Sequence, residues 1–75
     1  PDLLKIDGSL IKNIHTDTRH EAIVESLVGL AKRLEIQTVA EFVHCEAVLE
    51  KVRGLGVDMA QGYFLGEPKM VEQSS

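Results

Sequence analysis

The chain has 75 residues, 44% of them hydrophobic and 27% charged, and a formal net charge of -4. That length admits at most one small domain, and the composition is globular rather than that of a disordered tail. The acidic balance argues against non-specific nucleic-acid binding, which needs a basic face, and no apolar run approaches the roughly 20 residues of a membrane-spanning helix.

The chain opens on Pro1 without an initiator methionine or a charged-then-apolar leader, and runs at once into a strand-like segment. It reads as a piece of something larger, with the cytosol as the simplest compartment. Asp2 to Asp7 is the first predicted strand. Strand side chains alternate, so Leu3, Lys5 and Asp7 share one face while Leu4 and Ile6 share the other. A lysine inside a strand is usually an edge or solvent lysine; here Asp7, two residues on, can offset the cost of burying Lys5. Gly8-Ser9 punctuates the strand end, and Leu10, Ile11 and Ile14 suit one or two helical turns.

His15-Thr16-Asp17 reads as a polar loop, with His15 and His20 as solvated surface residues. Thr18-Arg19-His20-Glu21 has capping-box spacing, directly before an apolar-periodic run. Ile23, Leu27, Leu30, Ala31 and Leu34 recur at spacings of three and four, and Val24 and Val28 widen the stripe, as in a helix packed on a sheet. Glu21, Glu25, Lys32 and Arg33 fall largely on the other face.

Gln37-Thr38-Val39-Ala40-Glu41-Phe42-Val43 is the central strand. A strand entered and left through helices pairs in parallel with both faces covered, and such strands are apolar throughout. Glu41 breaks that rule. A buried carboxylate is costly unless a metal, a cation or several donors compensate it, and its natural place is the carboxyl end of a parallel strand. The alternative is an edge glutamate pointing into water.

His44-Cys45-Glu46 opens a second helix whose apolar positions are Val48, Leu49, Val52 and Leu55, with Gly54 and Gly56 available for its C-terminal cap. The lone Cys45 has no second thiol for a disulfide or a thiolate cluster, and His44 beside it is too small a set for a soft-metal site. Val57 to Leu65 is the third predicted strand, and counting by twos from Met59 puts Gln61 and Tyr63 on one face. Gly66-Glu67-Pro68 should stop that strand, and Val71 to Ser75 carries no pattern.

The predicted order is β-α-β-α-β with right-handed parallel crossovers. Three parallel strands leave two open edges, and a domain of this size hides only about 60% of its unfolded surface, so the piece needs neighbours. Lys5, Asp7, Glu41 and Gln61 are the polar residues that interrupt these strands, each near a carboxyl end. In a parallel barrel that is where residues from different strands converge. Such a set admits a hard divalent cation such as Mg²⁺, with Lys5 as counter-charge or water-orienting group. Composition and spacing stop at an anion or metal site.

Leu4-Lys5-Ile6-Asp7-Gly8-Ser9, Val39-Ala40-Glu41-Phe42-Val43, Ala60-Gln61-Gly62-Tyr63-Phe64 and Gly66-x-Pro68 together resemble the last third of the EAL domain. That family consists of bacterial cyclic-di-GMP phosphodiesterases built on a modified TIM barrel. The resemblance runs from about Pro1 to Lys69 and leaves residues 70–75 as a C-terminal tail. It makes the three strands the sixth, seventh and eighth of the barrel, an α/β segment of parallel strands. It implies two-metal hydrolysis of one phosphodiester bond of cyclic-di-GMP to pGpG with Mg²⁺ or Mn²⁺. The ions would neutralise the phosphate and lower the pKa of a bound water.

By the same resemblance Lys5 matches the lysine that holds the attacking water or a phosphate oxygen, and Asp7 supports the substrate from the strand end. Glu41 matches a glutamate at the metal centre and Gln61 the glutamine that supports the metal-bound water. Tyr63 stands where the family contacts a guanine. Two positions depart from the common Ala-Glu-Gly-Val-Glu pattern. Phe42 replaces the glycine, and as a strand residue it would point away from Glu41; His44 replaces the second glutamate. The Glu-Ala-Leu signature, the asparagine and glutamate after it and the paired-aspartate metal motif are absent from these 75 residues. The segment alone is therefore expected to be inactive. Its implied partners are cyclic-di-GMP, the rest of the barrel, GGDEF or sensor domains and a second copy in a homodimer, with any membrane anchor lying upstream. A degenerate module that binds cyclic-di-GMP without cleaving it is the alternative from another class, and a self-associating fragment is the third.

Overall fold

The computed structural model describes residues 2–62 and 66–71, with residues 66–69 described by their backbone alone. Strand β1 (Leu3–Ile6) is followed by a single turn of helix, α1 (Gly8–Ile11), and by the long helix α2 (Thr18–Arg33). Strand β2 (Gln37–Ala40), helix α3 (Glu46–Leu55), strand β3 (Met59–Gly62) and strand β4 (Gly66–Met70) complete the order.

β1, β2 and β3 are parallel neighbours, as expected. Ile6 stands opposite Ala40, and Ala40 opposite Ala60, so one row crosses the sheet through three buried residues. The helices cover this row: Ile11 of α1, Val24 and Val28 of α2, Val48 and Val52 of α3, and Ile14 and Val57 from the connections form one core with it. β-branched and small side chains bring helix and sheet close, and each fully buried valine or isoleucine contributes about 1.5–3 kcal/mol relative to exposure.

Helix α2 begins one residue from where the capping-box pattern puts its cap. Asp17, not Thr18, is the N-cap: its carboxylate accepts from the Arg19 amide at 3.0 Å and the His20 amide at 3.2 Å. Glu21 does not reach back to complete a box; its Oε2 accepts from Lys51 Nζ of α3 at 3.2 Å. The helix is also rotated relative to the predicted stripe. Val24, Val28 and Ala31 enter the core, whereas Ile23, Leu30 and Leu34 are 45%, 54% and 59% exposed. The narrower residues face the sheet because they allow the closer approach.

Both long helices end in the same motif. Gly56 (φ 87°) follows α3, and the Gly56 and Val57 amides bond the Arg53 and Val52 carbonyls at 3.1 Å each. After α2 the left-handed position is filled by Glu35 (φ 59°), whose amide bonds Lys32 while that of Ile36 bonds Ala31. These are Schellman closures, which satisfy orphan carbonyls and favour glycine at the left-handed residue.

Three predicted strands are longer than the observed ones. The first and third shrink to Leu3–Ile6 and Met59–Gly62, and Tyr63, Phe64 and Leu65 lie outside the described residues. The central strand ends at Ala40, and Phe42 has φ 64°, so it is not an extended strand residue and strand alternation does not set its direction. The expected stop at Gly66-Glu67-Pro68 is instead the start of β4, which runs antiparallel to β3 with Met59 opposite Met70. Pro68 is tolerated there because an edge strand has one side free of ladder bonds. β4 covers one of the two edges that three parallel strands alone would leave open. No helix among the described residues is long and apolar enough to cross a membrane.

Candidate active site at the carboxyl ends of the strands

The residues that follow the buried row Ile6, Ala40 and Ala60 are Asp7, Glu41 and Gln61, one from each parallel strand. Ile6, Ala40 and Ala60 are buried under the helices, and the three residues after them stand at the carboxyl end of the parallel strands, with Lys5 two residues before Asp7 on β1. The row is held by backbone bonds. The Glu41 amide donates to the Ile6 carbonyl at 3.2 Å and the Val43 amide to the Gln61 carbonyl at 2.8 Å. The structure thus brings Lys5, Asp7, Glu41 and Gln61 to one end of the sheet. Tyr63, the remaining sequence-derived candidate, lies outside the described residues.

Lys5 and Asp7 are exposed, and Glu41 and Gln61 are half-buried. Asp7 caps α1: its carboxylate accepts from the Ser9 amide at 2.9 Å and also from the Ser9 hydroxyl. The hydroxyl first, and then the amide, hold the Asp7 carboxyl below its ordinary range. An ionised, fixed aspartate beside Lys5 keeps that end of β1 from being uniformly positive. Asp7, Gly8, Ser9, Lys12 and Phe42 line an open cavity of about 290 Å³ next to the row.

The loop after β2 carries the two departures noted in the sequence. Phe42 lies over α1, so close that a Cβ on Gly8 would be 2.9 Å from Phe42 Cβ. Its ring is 5.4 Å from that of His44, and His44 in turn meets His15 edge to face at 6.2 Å. His44 Nε2 is 2.8 Å from the Lys12 carbonyl. His15 and His20 are half-buried rather than solvated. Gly62 explains why the Gln61-Gly62 pair can sit beside this loop: a Cβ at Gly62 would lie 2.0 Å from the Val43 carbonyl oxygen.

A divalent cation is compatible with this donor set only in part. Glu41 supplies one hard carboxylate at the strand end, suited to Mg²⁺ or Mn²⁺. Among the described residues, however, no three His, Cys, Asp or Glu side chains gather to hold an ion.

Sequence reasoning missed Thr38 and Asp58, which join β2 to the start of β3 by reciprocal hydrogen bonds at the opposite end of the sheet. No spacing rule links a threonine to an aspartate 20 residues on; only the parallel register does.

The EAL domain family model matches residues 1–68. The cyclic di-GMP phosphodiesterase PdeF of Escherichia coli (strain K12) is 46% identical over 68 residues, which are 91% of this chain and 9% of that protein. In structure the chain is similar to a standalone versatile EAL protein from Vibrio cholerae O395 in its c-di-GMP bound form, with TM-score 0.83 and 32% identity over 99% of this chain and 31% of that one. It is equally similar to Klebsiella pneumoniae BlrP1 in a manganese/cy-diGMP complex, with TM-score 0.84 and 30% identity over 99% of this chain and 19% of that one. The chain therefore spans about a tenth of the curated relative it matches, and under a third of these solved chains.

Proposed function

The chain belongs to the EAL domain family, and from that premise we propose that it forms the sixth to eighth strands of the barrel of a cyclic-di-GMP phosphodiesterase. On this reading residues 1–69 belong to the barrel, and the tail expected from residue 70 begins later, since β4 runs to Met70 and Val71 is buried in the core. The observation that carries it is the row Asp7, Glu41 and Gln61, with Lys5 two residues before, at the carboxyl ends of three parallel strands. Barrel enzymes assemble their chemistry there, from separate strands. The names of the relatives supply the substrate.

Glu41 is the residue of this chain that would hold a divalent metal. A bound Mg²⁺ or Mn²⁺ supplies neutralisation of phosphate charge and acidification of a coordinated water. Lys5 provides an ammonium for a phosphate oxygen or for the attacking water, and its three donors suit either task. Gln61 offers an amide that both donates and accepts, so it can hold a water in one orientation. Asp7, pinned by Ser9, contributes to substrate positioning from the first strand, and Tyr63 offers a ring to a guanine base. With one carboxylate proposed as a ligand among the described residues, the 75 residues alone should bind no metal and hydrolyse nothing. GGDEF or sensor domains and a second copy are the partners proposed for the intact protein.

Hydrolysis of cyclic-di-GMP with Mn²⁺ by the intact barrel protein, beside its Glu41→Ala variant, tests this. The expected result is cleavage to pGpG that disappears in the variant. Tight binding without any cleavage by the unaltered protein would instead make it a receptor.

A further inference from the structure

We propose that His44 is a positioning residue for Glu41, strapping the loop that carries the carboxylate onto the end of α1. This rests on the reading of Glu41 as a metal ligand. The carbonyl of Lys12 can only accept, so at 2.8 Å the His44 Nε2 carries the proton and donates it. The contact spans 32 residues of sequence and ties the segment after β2 to the helix that follows Lys5 and Asp7.

The segment between Glu41 and His44 needs such a strap. It leaves the sheet at Ala40, and Phe42 adopts φ 64°, a conformation that a non-glycine residue holds only when its surroundings enforce it. Three backbone or ring contacts enforce it on the near side: Glu41 to Ile6, Val43 to Gln61, and Phe42 against Gly8. His44 closes the far side, with its ring against both Phe42 and His15. Without it the loop keeps its backbone ties at Glu41 and Val43, but its exit toward α3 is no longer tied to α1, and Glu41 gains freedom at the strand end. A glutamate at position 44, the residue the family pattern commonly has there, is acceptor-only and would face the Lys12 carbonyl unfavourably. In this chain the position serves the loop instead of reaching outward.

The test compares His44→Ala, His44→Glu and His44→Gln in the intact barrel protein, with Mn²⁺ affinity measured by calorimetry in the absence of substrate. Glutamine places a donor nitrogen near the position of Nε2; glutamate matches its size without a proton to give. Loss of an orienting partner of a metal ligand typically costs about 10–100-fold in affinity. The expected result is a loss at the lower end of that range for His44→Ala and His44→Glu, near-parental affinity for His44→Gln, and recovery of most of kcat at saturating Mn²⁺ with KM unchanged. Parental Mn²⁺ affinity in His44→Glu with a raised KM for cyclic-di-GMP would make position 44 a substrate contact and overturn the proposal. Glu41→Ala is measured alongside. If it leaves Mn²⁺ affinity unchanged, the assignment of Glu41 fails and this inference with it; if it lowers affinity while the His44 variants do not, only the inference fails.

Discussion

Asp58 and Thr38 hold each other through three hydrogen bonds. Asp58 Oδ2 accepts from the Thr38 amide at 2.9 Å and the Thr38 hydroxyl at 3.2 Å, and the same hydroxyl accepts from the Asp58 amide at 3.1 Å. The Asp58 carbonyl also accepts from the Val71 amide at 2.8 Å, so the clamp gathers β2, β3 and the end of β4 at one point. It lies at the amino ends of the parallel strands, away from Glu41 and Gln61. In barrels that end serves stability and the other serves chemistry.

Thr38→Val keeps the shape of a side chain that is 1% exposed but removes its hydroxyl. The Asp58 amide then loses its acceptor and the carboxylate one donor. Leaving such groups unpaired costs about 1–3 kcal/mol. Urea denaturation should show a lower midpoint with an unchanged slope, while metal affinity stays at the parental value.

Gly62→Ala should be far more damaging. Its Cβ would stand 2.0 Å from the oxygen, 2.6 Å from the carbon and 2.7 Å from the nitrogen of Val43. No rotamer relieves a clash with backbone, so β3 and the loop after β2 must separate, breaking the Val43 to Gln61 bond. The expected destabilisation exceeds about 3 kcal/mol, at the high end for a single substitution, and the thermal unfolding transition should shift accordingly or vanish.

Glu35→Gly should stabilise the chain. Glu35 is exposed and occupies a left-handed position, which costs a non-glycine residue about 1–2 kcal/mol. The greater freedom of glycine in the unfolded chain offsets about 0.5–1 kcal/mol of that, leaving a net gain of about 0–1.5 kcal/mol. Gly56→Ala is the mirror experiment, and there a Cβ would also meet Lys32 Cε at 3.1 Å. Opposite shifts in unfolding midpoint for the two variants are expected; shifts of one sign would show that the closures are not equivalent.

Acid should loosen both helix starts together. The His20 amide, chiefly, holds the Asp17 carboxyl below its ordinary range, and Ser9 does the same for Asp7. A carboxyl with a depressed folded value stabilises above the ordinary aspartate range, near pH 4, and loses that contribution as pH falls through the folded value. Melting temperature should therefore fall with pH below that point. Asp17→Asn keeps an acceptor at the cap without the ionisation, so its melting curve should depend less steeply on pH there.

The strands and helices were legible because their signals are local. Period-two alternation in Leu3 to Ile6 and period-three-to-four recurrence in α2 need no knowledge of the rest of the chain. The α2 stripe was legible as a stripe but not in its rotation, since whether Val24 or Ile23 faces inward depends on how closely the sheet approaches. The start of β4 was misread as a stop, because Gly66-Glu67-Pro68 has turn composition and only pairing with β3 makes it a strand. The polar set Lys5, Asp7, Glu41 and Gln61 stood out because charge inside an apolar strand is costly wherever it occurs.

By itself, the sequence determined the order of the first three strands and of the helices between them, their parallel sense and the identity of the polar residues near their ends. These follow from side-chain chemistry read along one dimension. Tertiary structure alone decided the register that aligns Asp7, Glu41 and Gln61 in one row. It also decided the Thr38 to Asp58 clamp at the far end and the bond from His44 to the Lys12 carbonyl. Each joins residues 20 or more apart in sequence, whose meeting depends on the sheet register and on how the connections pack against it.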